Sequence, residues 1–367
     1  EDAAAGLRRL WAAQGDWFEQ LFGFREGAYA SNQQRLKATR LQDGFWTLEG
    51  ENGARYQAGR FGTPSLEELR GEAARLGGAG GLRGRLRVRN VVGDVSALHV
   101  KTENRHATFQ VASQFNCLEF AGPNVTPERG ITDYVHDRTQ GPACSICCGP
   151  ATAFRNYFAE VEGEVGQTSQ RQINNICKVL AMLGDPGKEI KVRNGYTLAT
   201  DGGLRALNAE LKAKGPEAYE RLRREVRVGV HEDVQVTSSD WGRLQFREEG
   251  FAVTQVFGSA CSVAYSGNSN DFLWGPLASL VLSASYEATL WAALAAALRH
   301  RGTQGSRRLF LTCLGGGVFG NPLSWIAGAM KEAFTKFEHV ALEVFIVTFR
   351  GDIREELREL ERCFGGA

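Results

Sequence analysis

The stretch that decides the fold is Leu309-Phe310-Leu311-Thr312-Cys313-Leu314-Gly315-Gly316-Gly317-Val318-Phe319-Gly320-Asn321-Pro322. An apolar run ends in three glycines, an aromatic, a fourth glycine and Asn-Pro, and an amphipathic helical pattern follows from about Leu323. The pattern reads as a buried strand, a loop whose backbone approaches something closely, and a helix whose N-terminus points at the same place. Backbone N–H groups and the positive end of a helix dipole together suit a phosphate or diphosphate. A tight strand-to-helix turn with no ligand would give the same local pattern.

A second site far upstream breaks the tie. Leu86-Arg87-Val88-Arg89-Asn90-Val91-Val92 reads as a strand and leads into Gly93-Asp94-Val95-Ser96. A further alternating strand, Ala107 to Ser113, runs into Gln114-Phe115-Asn116. Strand, Gly-Asp-Val-Ser, spacer, strand and terminal Asn resembles the opening of a macrodomain, the ADP-ribose-binding fold. In that family the aspartate of the first motif accepts a hydrogen bond from the adenine amino group, and the Asn faces the distal ribose. The resemblance therefore implies that Asp94, with Val95, holds adenine, and that Asn116, with Gln114, positions the ribose. Gly315, Gly316, Gly317, Val318, Phe319, Gly320 and Asn321 resemble the family's second diphosphate loop.

A wider set of segments covers nearly the whole chain. Gln114-Phe115-Asn116-Cys117-Leu118-Glu119-Phe120, Thr126-Pro127-Glu128-Arg129-Gly130-Ile131-Thr132 and Asp137-Arg138-Thr139-Gln140-Gly141-Pro142-Ala143-Cys144 belong to it. So do Arg155 to Phe158, Arg193-Asn194-Gly195-Tyr196 and Ser285 to Leu290. Together they resemble a divergent group of eukaryotic macrodomain proteins related to the bacterial effector MavL. That resemblance implies hydrolysis of ADP-ribose from modified arginine, with ADP-ribose and ADP-ribosylated proteins, ubiquitin among them, as partners. Thr139, Gln140, Gly141, Pro142 and Ala143 stand where ordinary macrodomains carry Gly-Gly-Gly-Val, so they are assigned as the first diphosphate loop.

Composition sets outer limits. The 367 residues suffice for one enlarged domain or two, with a large core. Lys+Arg at 43 against Asp+Glu at 42 provides no global basic field for nucleic acid. The Ala-rich stretch from Thr289 to Leu298 is too short to span a bilayer, so no membrane partner is expected. Glu1 to Gly6 shows neither a basic nor an apolar leader region, so no signal peptide is expected. Cys144, Cys147 and Cys148 cluster without a second pair at zinc-finger spacing, and the other five of the 8 cysteines are scattered. Buried free thiols in a reducing, intracellular setting are expected. The 6 histidines offer no His-x-x-x-His pair, so neither a metal nor a cofactor is expected beyond the ligand itself.

Residues 1–85 read as an N-terminal subdomain and residues 86–367 as a macrodomain-like catalytic domain. The first part shows a helix from Leu7 to Phe22, a hairpin around Glu49 to Gly53, and a capping box of Ser65 with Glu68. Gly77 to Gly81 forms the break. Further on, helices are expected from Gln167 to Leu183, Leu204 to Arg224 and Pro276 to His300, and strands from Glu225 to Val236 and Phe251 to Val263. The expected fold is a macrodomain-like α/β/α sandwich with an N-terminal extension and helical insertions, its glycine loops at the C-terminal strand edges.

Cleavage of an N-glycosidic bond to arginine passes through an oxocarbenium-like centre. A carboxylate can activate water, steady the positive charge or pair with the guanidinium. Asp133, Asp137, Asp271 and Glu287 are the candidates; for each acid alone, a solvated loop or cap role gives the same sequence. Glu287 stands in an apolar helix stripe, where an acid needs a partner. Rival readings are a non-catalytic ADP-ribose reader, a poly(ADP-ribose) glycohydrolase, whose usual paired glutamates are missing between Glu119 and Ala143, and Cys144 as an acyl-transfer nucleophile with His136.

Overall fold

The computed structural model describes residues 15–184, 189–266 and 271–366. Its centre is a nine-stranded mixed sheet. In chain order the strands are β1 (Lys37–Arg40), β2 (Trp46–Glu49), β3 (Arg55–Gly62), β4 (Arg87–Val92), β5 (Thr108–Ser113), β6 (Gly229–Gln235), β7 (Ala252–Ser259), β8 (Arg308–Leu311) and β9 (Glu343–Thr348). They lie in the order β1-β2-β3-β6-β7-β5-β8-β9-β4. From β7 to β4 every neighbouring pair is parallel, and from β1 to β7 every pair is antiparallel.

Strand alternation explains the two helical layers. Phe109 and Val111 of β5, Phe310 of β8, and Phe345 and Val347 of β9 face one core. There they meet α1 (Trp17–Phe22), α2 (Tyr29–Arg35), α4 (Val95–His99), α5 (Gln140–Cys147) and α6 (Gly149–Tyr157). Leu309 and Leu311 of β8 and Val344 and Ile346 of β9 face the opposite core. That side is covered by α3 (Leu66–Arg75), α7 (Cys177–Met182), α8 (Asp201–Arg224), α9 (Asp271–Arg299), α10 (Leu323–Phe337) and α11 (Glu355–Phe364). Helices on both faces of the sheet make the α/β/α sandwich expected from the sequence.

Several local expectations hold. The hairpin is β2–β3, and Ser65 and Glu68 form the reciprocal capping box. Others change. The expected N-terminal subdomain does not stand apart: β3 pairs with β6, so residues 37–62 extend the same sheet, and Trp17 and Phe18 enter the shared core. The part of the first helix before residue 15 lies outside the described residues. The helix expected over 167–183 contracts to α7, because Gln167 turns its amide inward to the carbonyls of Asn116 and Arg155. By length and composition α9 is long and apolar enough to cross a membrane, contrary to the expectation. Its most apolar window is 94% buried, packed between the sheet and α3, α8 and α10, so protein surroundings account for its character. All eight cysteines are free thiols.

Candidate functional site

The parallel strands point their C-termini at one edge, and the glycine loops that follow β4 and β8 both start from it. After β8 the chain turns at Gly315, whose φ of +71° favours glycine. A Cβ at Gly315 would stand 2.5 Å from Ala260 Cβ and from Asn321 Nδ2. Asn321 closes the loop: its backbone N–H donates to Gly315 O (2.9 Å) and its side-chain amide to Cys261 O (2.8 Å). Phe319 is tucked beneath, against Tyr196 and Tyr265, while Gly316, Gly317 and Val318 form an exposed apex. Tyr286 of α9 anchors the loop's entry, accepting from Leu314 N and donating to Thr312 O. No side chain caps the first turn of α10, which starts directly after Pro322. Gly316 is a less open position than its sequence suggests, since a Cβ there would press on Ile326 at 3.0 Å.

The first loop is built differently. Strands β5 and β8 pair only through Thr108 and Phe109, so the sheet opens between them toward its C-terminal edge. Gln140 fills the opening: Oε1 accepts from Ala112 N and Nε2 donates to Gln110 O, both at 2.8 Å. Gln110 reaches across the gap to accept from Thr312 N. Gln140 thus replaces a strand's backbone groups, and its role in the structure is architectural. Gly141 lies so close to Ala112 O and Glu119 that no Cβ fits. Pro142 and Ala143 are buried in α5. Thr139 is the N-cap residue, without a capping bond from its own side chain.

Asp94 caps α4, accepting from Ser96 N through Oδ1 (2.8 Å), and remains partly exposed, while Val95 is buried. Gly93 N donates to Thr348 O, which brings Asp94 beside the end of β9. Phe349 follows there, 53% exposed, with Arg350 over its ring. An exposed aromatic next to an available carboxylate oxygen is a ready platform for a flat heteroaromatic ring. Sequence reading missed it, although an aromatic just past a strand end was its visible signal.

Gln114 and Asn116 are buried and already engaged. Gln114 Oε1 accepts from Phe120 N, and Asn116 Oδ1 accepts from Leu118 N. Asn116 Nδ2 donates to Gln172 (2.8 Å), Gln172 donates to Asn194 (2.6 Å), and Asn194 donates to Pro123 O. This amide chain leads outward to a polar cleft of about 410 Å³ lined by Asn124, Thr126, Ser169, Gln172, Asn174 and Arg193, among others.

The four acids separate. Asp137 is half-buried and accepts from Thr139 N (3.1 Å), tying it to the first loop. Burial pushes up the Tyr265 and Tyr196 hydroxyls and the Glu119 carboxyl, and the nearby Asp137 charge raises each further. Tyr196 and Tyr265 pack on Phe319 of the second loop, while Asp137 is bonded to the first. Asp133 is exposed and pairs with Arg129 at 3.2 Å. Asp271 is the exposed first residue of α9, followed by Phe272, 85% exposed; the loop before it, residues 267–270, lies outside the described residues. The start of α9 adjoins the first turn of α10 through Gly275 and Trp325.

Glu287 leaves the candidate set. It accepts from Arg70 Nε (2.8 Å), Arg223 Nη2 (2.9 Å), Lys336 and Trp291 (3.2 Å), joining α3, α8, α9 and α10. Burial opposes its ionisation, but bonds from Lys336 and Arg70 more than offset this and hold the carboxyl below its ordinary range. This is the partner an acid in an apolar stripe requires. Cys144 fares no better as a nucleophile: it is fully buried, and desolvation drives its thiol well above the ordinary range.

One group was passed over in the sequence. Glu119 is 1% exposed, and neither carboxylate oxygen has a hydrogen-bond partner among the described residues. Desolvation raises its carboxyl well above the usual range, against the opposing pull of the Arg155 charge.

No protein-family model matches the chain, and no curated protein matches it. Solved structures of poly(ADP-ribose) glycohydrolases are similar to it at a distance. The enzyme from Thermomonospora curvata bound to the inhibitor ADP-HPD is 15% identical, over 91% of this chain and 96% of that one, with a TM-score of 0.40. The enzyme from Deinococcus radiodurans in complex with ADP-ribose is 14% identical, over 92% and 98%, with a TM-score of 0.42.

Proposed function

We propose that this protein binds ADP-ribose along the C-terminal edge of its sheet and hydrolyses the glycosidic bond at the distal ribose, releasing mono-ADP-ribose from modified arginine. The observation that supports the reading is the exposed glycine apex that leads directly into the first turn of α10, together with a half-buried Asp137 bonded to the first loop. In this reading adenine lies by Asp94 and Phe349, and the diphosphate lies on the N–H groups of residues 316–318 and of the α10 N-terminus. Asp137 then faces the reacting ribose, as a base for water or a partner for the departing guanidinium. Asp271, at the start of α9, is the second acid for that guanidinium. ADP-ribosylated proteins, ubiquitin among them, are the proposed substrates.

A second reading rests on Glu119. Breaking the ribose–ribose bond of poly(ADP-ribose) requires a proton for the leaving oxygen, and Glu119, whose carboxyl burial raises well above its ordinary range, lies behind the first loop. That loop would have to move aside for the acid to reach substrate.

The test offers one preparation three substrates: a mono-ADP-ribosyl-arginine peptide, a mono-ADP-ribosyl-serine peptide and poly(ADP-ribose), with released ADP-ribose quantified. Fast cleavage of the arginine peptide alone, lost in Asp137→Asn while ADP-ribose affinity stays within a few-fold, supports the first reading. Cleavage of the polymer alone, lost in Glu119→Gln, replaces it with the second. Binding without turnover of any substrate makes the protein a reader.

A further inference from the structure

At the opposite edge of the sheet, three residues far apart in sequence come together. His106 lies two residues before the strand Thr108–Ser113, Asp233 lies within β6, and His300 follows the C-terminus of α9. His106 Nδ1 is 3.2 Å from Asp233 Oδ1, and His300 Nε2 is 2.9 Å from the same oxygen. One ligand atom from each lies within 4.8 Å of the others, and all three residues are partly exposed. The two imidazole rings stack at 4.1 Å with 18° between their planes, presenting their nitrogens to one carboxylate.

We propose that His106, Asp233 and His300 form a binding site for a divalent first-row transition metal, zinc foremost.

The geometry suits that ion. With zinc–ligand bonds of about 2.0–2.1 Å, two ligand atoms of a tetrahedral site stand about 3.3 Å apart, close to the separations between Asp233 and the two rings. Two imidazoles and one carboxylate are a donor set for zinc, nickel or cobalt rather than calcium or magnesium. Partial exposure leaves room for water as a fourth ligand. The backbone is committed to the arrangement: His106 (φ +59°) and Asp233 (φ +47°) both adopt the left-handed conformation that non-glycine residues avoid. Asp233 does so in the register shift between His231 and Val234, where a bulge redirects its side chain. The negative end of the α9 dipole adds a favourable potential at His300. The neighbouring charges are already matched, with Arg299 paired to Glu72 and Glu232, and Arg60 to Glu232. The metal would join the bulge of β6, the entry to β5 and the end of α9. The site is independent of the proposed hydrolase activity, since β5 alone puts about 20 Å between it and the glycine loops.

The test uses full-length protein stripped with a chelator and titrated with zinc sulfate and with cobalt chloride. Calorimetry and elemental analysis should give one equivalent bound, and cobalt should show d–d absorption of a low-coordinate nitrogen/oxygen site without a sulfur charge-transfer band. Asp233→Asn and His300→Ala should each weaken zinc at least 100-fold, with circular dichroism and ADP-ribose binding unchanged. Should either variant fail to fold, His106→Gln serves in its place. Absence of saturable zinc binding in the wild type overturns the proposal. So does zinc binding that survives all the substitutions but disappears in Cys177→Ser or Cys363→Ser, the two exposed thiols. Were that to happen, the cluster would be a hydrogen-bonded His–Asp–His triad.

Discussion

The sharpest test of the phosphate loop compares Gly315→Ala with Gly317→Ala. At Gly315 a methyl group must adopt φ +71° and would stand 2.5 Å from both Ala260 Cβ and Asn321 Nδ2. The left-handed conformation costs about 1–2 kcal/mol for an ordinary residue. Relief of the clash moves Asn321, straining its bonds to Gly315 O and Cys261 O, each worth roughly 0.5–1.5 kcal/mol net. The total is about 2–5 kcal/mol, so Gly315→Ala should lower the Tm by several degrees and weaken ADP-ribose through a displaced loop. At Gly317 a Cβ meets nothing within 4 Å and points into the exposed apex. Gly317→Ala should therefore keep the wild-type Tm, and any loss of affinity there reports direct contact with ligand; Gly317→Val should enlarge it. Differential scanning fluorimetry and calorimetry with ADP-ribose measure the two effects separately. If Gly317→Val binds ADP-ribose as well as wild type, the loop is only a turn and the diphosphate assignment fails. If Gly315→Ala is as stable as wild type, the packing argument fails. Gly316→Val, the choice the bare sequence suggests, is a poor probe, because its side chain would press on Ile326 of α10 whether or not ligand binds.

Asp94→Ala should weaken ADP-ribose by about ten- to a hundred-fold, the worth of one charge-assisted hydrogen bond, with Phe349→Ala adding to it; calorimetry checks both. Glu287→Gln should cost about 3 kcal/mol in denaturant unfolding, because three cations lose their shared anion, while activity per folded molecule persists. The folded carboxyl titrates below its ordinary value, so the wild type's advantage is full above about pH 4.5 and is lost as pH falls through the lower folded value. Glu119 has the opposite sign. Its folded pKa is raised, so keeping it protonated costs stability as pH rises above the unfolded value, and Glu119→Gln should stabilise more at pH 7 than at pH 4.

Short-range chemistry was readable and long-range placement was not. The turn after β8, the Ser65–Glu68 box and the β2–β3 hairpin all depend on residues within a few positions of one another. Their spacing announces them. The role of Gln140 depends on a sheet that opens between two strands almost two hundred residues apart, which no local pattern encodes. Glu287 looked unusual because it is charged among apolar neighbours, but its cations come from Arg70, Arg223 and Lys336, each on another helix. The His106–Asp233–His300 cluster escaped for the same reason: spacing along the chain excluded a local metal motif and said nothing of residues brought together by folding. The helix expected over 167–183 failed because the Gln167 amide serves the Asn116 loop rather than a helical turn.

The pairing of β3 with β6 decides where the molecule can safely be cut. The outermost strand, β1, carries Lys37 and Arg40 and is mostly exposed, so its unpaired edge meets water with charge. Strand β6, next inward from the meander, is buried along nearly its whole length. A chain begun at residue 86, after the glycine-rich break, would uncover that strand's backbone donors and acceptors together with Val230 and Val234. Such a fragment would seek another strand to replace β3, and the nearest supply is a second copy of itself. Residues 37–62 thus serve as the sheet's selvedge, keeping a self-adhesive edge from fraying into aggregates.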